Sequence, residues 1–229
     1  MIIAARRERE RTELREKILA ATRTLMVEGG VEAVTMREVA RRVEYSPAAL
    51  YQHFADKEAL IAELCRHDFE ELAGLLLSLS REGGPMALLA RTGVAYLDFA
   101  RDFPEHYRFM FLTPKDVPPD SDAEREDPAR NAYVFLHQLV EAAMAAGLVK
   151  EEFENSHDVA QLVWAIVHGT AALSVCRPGA DSWVEFRPWE VRARAAVYAG
   201  CHAVARTPEI ANAALEAALG EPAFGKGKP

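Results

Sequence analysis

Between Thr35 and Lys57 the chain gathers side chains that hydrogen-bond well but carry little charge: Thr35, Arg37, Tyr45, Ser46, Tyr51, Gln52, His53 and Lys57. That inventory suits a partner made of fixed acceptors and flat edges. An amide such as Gln52 can pair bidentately with an adenine edge, and the methyl of Ala48 or Ala49 can pack on a thymine methyl. Hydroxyl, phenol, imidazole and ammonium groups reach phosphate oxygens. Catalytic chemistry is poorly served by comparison. There is no GxSxG, no GxGxxG and no Walker loop. The seven histidines include no pair at i, i+3 or i+4. Glu154-Asn155-Ser156-His157 has the spacing of a di-iron ligand pair, but such bundles need a second copy and two further carboxylates. No catalytic residue, no metal site and no cofactor is expected.

Those donors must be positioned by short, capped helices. Leu14, Ile18, Ala21, Leu25 and Met26 follow a helical period, which should close at Gly29-Gly30. Thr35 and Glu38 form a capping box, with Val34 and Val39 placed as its hydrophobic staple, and predict a helix over about 36–43. Ser46 followed by Pro47 is a second start, since proline at the first helical position loses no hydrogen bond. It predicts a helix over 47–53, roughly 10 Å long and marginal alone. Asp56 opens a third, over 57–81. Two short helices joined by Glu44, Tyr45 and Ser46 and braced on both sides describe a helix-turn-helix. Ser46, Pro47, Ala48 and Ala49 then form the slim tip that meets a major groove, with Tyr51, Gln52 and His53 beside it. Lys57 and Thr35-Arg37, each at a helix start, suit phosphates.

The stretch VTMREVARRVEYSPAALYQHFADKEALI resembles the N-terminal DNA-binding domain of the TetR family of bacterial transcriptional regulators, over residues 11–60. The matching positions are Thr35, Val39-Ala40, Ser46, Leu50-Tyr51, His53-Phe54, Lys57-Glu58 and Leu60. One departure stands out. The family's turn is Gly-Val-Ser, whereas this chain has Glu44-Tyr45-Ser46. A glutamate there is either strained by about a kcal/mol or held in a different turn. Tyr45 is placed to reach toward DNA.

Every later segment also reads as helix: about 86–102, 104–112, Asp127 to Gly147, Ser156 to Cys176, Pro188 to Arg206, and a last one from Pro208. The stop after Cys176 is assigned to Arg177-Pro178-Gly179, Thr113 to Asp127 reads as loop, and 221–229 as a loose tail. Trp164-Ala-Ile-Val-His168-Gly169, with FARDFPEHYRFMF upstream, resembles the ligand-binding domains of one TetR subgroup. The resemblance implies a homodimer joined by the last two long helices. It also implies a small-molecule pocket among the preceding ones. Tyr96, Phe99, Phe103, Tyr107, Phe111, Tyr133, His137, Trp164 and His168 are the candidate ligand contacts. Core packing is the competing account for Trp164, His168 and most of the rings.

Composition sets the outer bounds. Half of the 229 residues are hydrophobic, and the net charge is −8. Split at residue 58, the first part carries +1 and the remainder −9, so electrostatics permits a DNA-binding face without demonstrating one. Arg6, Arg7, Arg9 and Arg11 alternate with Glu8 and Glu10; a solvated helix and an arm reaching a minor groove both remain open. Three widely spaced cysteines suit a reducing compartment. The start MIIAARRERER lacks the apolar core of a signal peptide. Val159 to Cys176 carries no formal charge, but its polar residues favour a buried or interface helix over a membrane span.

The expectation is an all-α cytoplasmic protein with no membrane association. It has a helix-turn-helix head at 1–58, an effector-binding and dimerisation domain at 59–220, and a tail. Its expected partners are a double-stranded, near-palindromic DNA operator, a small apolar or aromatic effector and a second copy of itself. A repressor released by its ligand is expected. An activator, a ligand-independent regulator, and an enzyme or carrier built on the helical second part are the alternatives.

Overall fold

The computed structural model describes residues 2–115, 126–176 and 185–219. All described regular structure is helical, save one isolated antiparallel bridge between Val149 and Ala205. The described residues cluster into two compact units. One lies within residues 1–69 and 105–120, the other within 70–104 and 121–229.

The first unit begins with α1 (Ile2–Ala33), whose helical geometry breaks at Gly30 (φ 69°, ψ −166°) before a last turn to Ala33. The glycine pair therefore interrupts the helix where its period predicts. α2 (Met36–Arg42) starts at Thr35, whose hydroxyl accepts from the Glu38 amide at 3.0 Å. The expected return bond of the capping box is not made. The Glu38 carboxylate instead accepts from Arg41 at 2.8 and 2.5 Å, a charge-assisted pair that outcompetes a neutral amide.

α3 is a single turn, Pro47–Leu50, capped by the Ser46 hydroxyl on the Ala49 amide at 3.2 Å. The predicted span to His53 is too long. The Gln52 and His53 amides bond three residues back, at 3.2 and 2.9 Å, so the chain tightens into turns once the proline start is left behind. Leu50 is fully buried and Phe54 nearly so, which anchors this short element in the core of the unit. α4 (Lys57–Leu77) opens where Asp56 accepts from the Ala59 amide at 2.7 Å. It ends four residues short of 81, with Ser78 bonding back to the Leu75 carbonyl. α6 (Pro104–Tyr107), which comes later in the chain, belongs to this unit from Glu105 onward. It widens into a π-helical turn, Arg108–Leu112, rather than continuing as the single helix expected over 104–112. Lys115 closes that turn on the carbonyls of Met110 (2.9 Å) and Phe109.

The second unit is built around α5 (Gly84–Asp102), which packs on α7 (Ala132–Ala145), α8 (Ser156–Cys176), α9 (Trp189–Val204) and α10 (Pro208–Leu219). Gly93 permits the close approach: a Cβ there would stand 3.3 Å from Val197 and 3.6 Å from Val167. α7 starts five residues later than predicted. Asp127 caps only a turn, and Asn131 caps the helix itself by accepting from the Tyr133 and Val134 amides. Likewise Asn155, rather than Ser156, caps α8 through the His157 amide at 2.8 Å. α8 is long and apolar enough to cross a membrane, with mean hydropathy 1.6. Its Val159, Ala160, Val163, Val167 and Ala171 are nevertheless buried in this helical packing. The stop at 177–179, Trp183, most of the 113–127 loop and the tail lie outside the described residues.

Candidate nucleic-acid interface and ring-lined chamber

The turn between α2 and α3 fixes how the first candidate site is presented. Glu44 adopts φ 61°, the left-handed region. Its amide bonds the Arg41 carbonyl at 3.3 Å, and that of Tyr45 the Ala40 carbonyl at 2.9 Å. That is a Schellman closure with glutamate in the place glycine usually takes, so of the two alternatives the strained one is realised. The reversal leaves Tyr45 about half exposed (48%). Thr35, Arg37, Ser46, Pro47, Ala48 and Gln52 are exposed as well. Tyr51 is 55% exposed, while Ala49, His53 and Lys57 are half-buried. Outward donors thus alternate with the buried anchors Met36, Val39, Leu50 and Phe54, which hold the comb rigid from behind.

His53 stands beside Arg11 and Arg15. Burial, together with those two charges, pushes its imidazole pKa below the ordinary value. It therefore meets a neighbour as a neutral hydrogen-bonding ring at neutral pH. Arg15 itself lies over the Phe54 ring at 5.1 Å and pairs with Glu63, so part of α1 braces the same surface.

Within the same unit, Asp68 is fully buried and receives Arg23 in a two-pronged bond, one arm 2.8 Å long. His67 and His106 lie 3.5 and 3.7 Å from it. Burial alone would push the Asp68 carboxyl up. The hydrogen bonds from Arg23 and His67, with the nearby charges, outweigh burial and hold it below the usual carboxylate range.

The second unit holds an open, ring-lined chamber of about 660 Å³ bordered by Tyr133, His157, Gln161, Trp164, Ala165 and His168, within the range of small-molecule sites. Tyr96, itself buried, accepts the Trp164 indole N–H at 3.3 Å and shares a 2.8 Å bond with His168 Nδ1. Tyr133 shares a 2.9 Å bond with His157 Nδ1, and the Gln161 amide donates to the Tyr133 oxygen at 3.4 Å. His137 stacks face to face on His157, with ring centroids 3.9 Å apart, and bonds Ser156 at 2.7 Å. Burial pushes the His168 pKa down, which keeps that ring neutral.

The structure therefore brings five of the nine candidate ligand residues together: Tyr96, Tyr133, His137, Trp164 and His168. The other four serve elsewhere. Phe99 is buried in the core, and Phe103, 49% exposed, lies against it with centroids 5.5 Å apart. Tyr107 is fully buried in the first unit, where Phe111 meets it and the edge of Phe69. His157 and Gln161 are chamber residues missing from the candidate set. Their signal was the spacing 157, 161, 164, 168, one face of α8.

The described residues thus form a capped helix-turn-helix in one unit and a ring-lined chamber in a second helical unit. The family described as "Bacterial regulatory proteins, tetR family" matches residues 18–64. "Tetracyclin repressor-like, C-terminal domain" matches residues 89–181. The two account for more than half of the chain, which belongs to the TetR family.

The chain is similar to the HTH-type transcriptional repressor KstR of Rhodococcus jostii, at 40% identity over 60 residues, 26% of this chain and 28% of that protein. It is also similar to the HTH-type transcriptional activator FasR of Mycolicibacterium smegmatis, at 32% over 102 residues, 44% and 47% of the two chains. These matches span less than half of either curated relative. Among solved structures, a protein of unknown function from a Rhodococcus species aligns with TM-score 0.66 and 25% identity, covering 84% of this chain and 95% of that one.

Proposed function

We propose that this protein is a sequence-specific DNA-binding transcriptional regulator, a homodimeric repressor of the cytoplasm that leaves its operator when a small aromatic molecule fills the ring-lined chamber. The observation that carries the reading is the comb from Ser46 to Gln52. Its polar and methyl-bearing side chains face out, on one helical turn fixed by the Ser46 cap and by buried Leu50. A lone turn so exposed has little reason to be held rigid unless it meets a partner. A major groove admits one helix and offers the donors, acceptors and methyls these residues complement. Two heads in a dimer would read half-sites about one helical turn, roughly 34 Å, apart.

The test is a mobility shift on the promoter of the chain's own gene, across a salt series and against scrambled DNA. A shift that prefers the promoter and weakens with salt supports the reading. No shift at low salt, or one indifferent to sequence, removes it. An activator is the second reading, favoured by the similarity to FasR over 44% of the chain. A promoter–reporter fusion in a strain lacking the protein separates the two: expression rises for a repressor and falls for an activator.

A further inference from the structure

α1 runs on well past the core it serves. Among the described residues its first buried side chain is Ile18, and every one from Arg6 to Glu13 is exposed. From Arg7 to Ile18 the helix rises roughly 16 Å. Helices in proteins are held chiefly by a packed face, and these outer turns have none.

Their arginines are not equivalent. Arg6 pairs with Glu10 at 2.7 Å, and Arg15 pairs with Glu63. Arg7, Arg9 and Arg11 make no ion pair among the described residues. Arg7 and Arg11 stand one turn apart and, with Arg15 and buried Ile18, share the face of α1 that packs on the rest of the unit. On that face Arg15 lies over the Phe54 ring at 5.1 Å, and Phe54 neighbours His53 with ring centroids 6.4 Å apart. One turn further out is Arg11, whose charge reaches the His53 imidazole: burial lowers that pKa first, and Arg11 and Arg15 lower it further. Arg7 is the next turn out. Arg9 falls about 180° round the helix from Ile18, on the side of Glu13 and Glu16.

We infer that Arg7 and Arg11 form a rigid helical clamp on the DNA backbone, gripping phosphates beside the groove that the Ser46–Gln52 comb enters. Two guanidinium groups about 6 Å apart along the helix, next to the comb and free of carboxylate partners, suit a line of phosphate anions, each of which accepts a two-pronged bond. The chain is already helical from Ile2, which fits a clamp on the backbone ridge rather than an extended arm threaded into a minor groove. The inference deepens the regulator reading and rests on it.

The experiment is a mobility shift of the intact protein on the promoter of its own gene and on scrambled DNA, across a salt series. Arg7→Ala and Arg11→Ala should each flatten the slope of log affinity against log salt by about 0.9 for every head bound. Both should weaken operator and scrambled DNA by the same factor. Arg11→Lys keeps the charge and should keep the slope, and Arg9→Ala should behave as the unaltered protein. Alanine is the best helix former, so these exposed substitutions leave α1 folded.

An unchanged slope in either alanine variant overturns the clamp. So does an equal loss in Arg9→Ala, which would mark a diffuse field of charge. A changed preference for A·T over G·C pairs flanking the operator overturns it too, since that is minor-groove reading. Failure of the unaltered protein to prefer its promoter ends the regulator reading, whereas an intact shift whose slope ignores Arg7 and Arg11 ends only the clamp.

Discussion

Glu44 is where a single residue most visibly works against its own backbone. With φ at 61° it occupies the position that closes a Schellman motif, which glycine fills at no steric cost. Glu44→Gly should raise unfolding stability by about 0.5–1 kcal/mol, read from the urea midpoint at unchanged slope. An unchanged or lowered midpoint would mean the glutamate makes a compensating contact. A few residues on, Gln52 and Lys57 are assigned different tasks. Gln52 is exposed beside the α3 tip, and Lys57 opens α4 at a capped helix start. Gln52→Ala should relax discrimination at one base pair by about 1–3 kcal/mol, and Lys57→Ala should weaken all sequences alike and flatten the salt slope by about one. Quantitative mobility shifts with single-base operator variants distinguish the two, and identical behaviour of both mutants would end the division into reader and phosphate clamp.

Between elements, the Arg23–Asp68 pair joins α1 to α4 in the core of the first unit, with His106 of α6 close by. Because the folded carboxyl titrates below its ordinary value, its contribution is fully present above the unfolded pKa of about 4 and disappears as pH falls through the folded value. Stability should therefore drop steeply below pH about 4. Asp68→Asn should cost about 3–5 kcal/mol at pH 7, by leaving a buried guanidinium without its anion, and should flatten that acid limb. Urea melts at pH 7 and pH 3 measure both effects.

Most of this element scale was legible in the sequence where a side chain caps a helix locally. Thr35, Ser46 and Asp56 each accept the amide three residues on, as their spacing predicts. Legibility failed where two candidates competed for one end. Asn131 displaced Asp127, and Asn155 displaced Ser156, because a start is decided by which backbone the neighbouring helices permit. The π-helical turn at Arg108–Leu112 left no periodic mark over five residues, and the chamber was only half visible. Trp164 and His168 announced it, but Tyr107 and Phe111, aromatic as well, pack in the first unit instead. A pocket is a shape, and ring content alone does not say which rings surround empty space.

For the whole molecule, the proposed dimer is tested on the outer face of α8. Leu162, Gly169, Leu173 and Cys176 recur at helical spacing, with Leu162 and Leu173 37% and 55% exposed. Gly169 is the telling member. A glycine in a helix interior costs about 0.5–1 kcal/mol relative to alanine, yet a Cβ at this position would meet nothing within 4 Å. If the protein dimerises as proposed, the open space beside Gly169 admits a closely packed partner helix. Gly169→Ala should leave a lone subunit intact or slightly more stable, whereas Gly169→Phe and Leu173→Asp should halve the mass seen by light scattering. Operator affinity should fall with them. A dimer brings its second head to the second half-site intramolecularly, and losing that link costs about a hundredfold or more. Both substitutions lie in the second unit and far in sequence from the Ser46–Gln52 comb, so binding of a single half-site should persist. A Leu173→Asp protein that stays dimeric and keeps full operator affinity would show that the two copies meet on some other face.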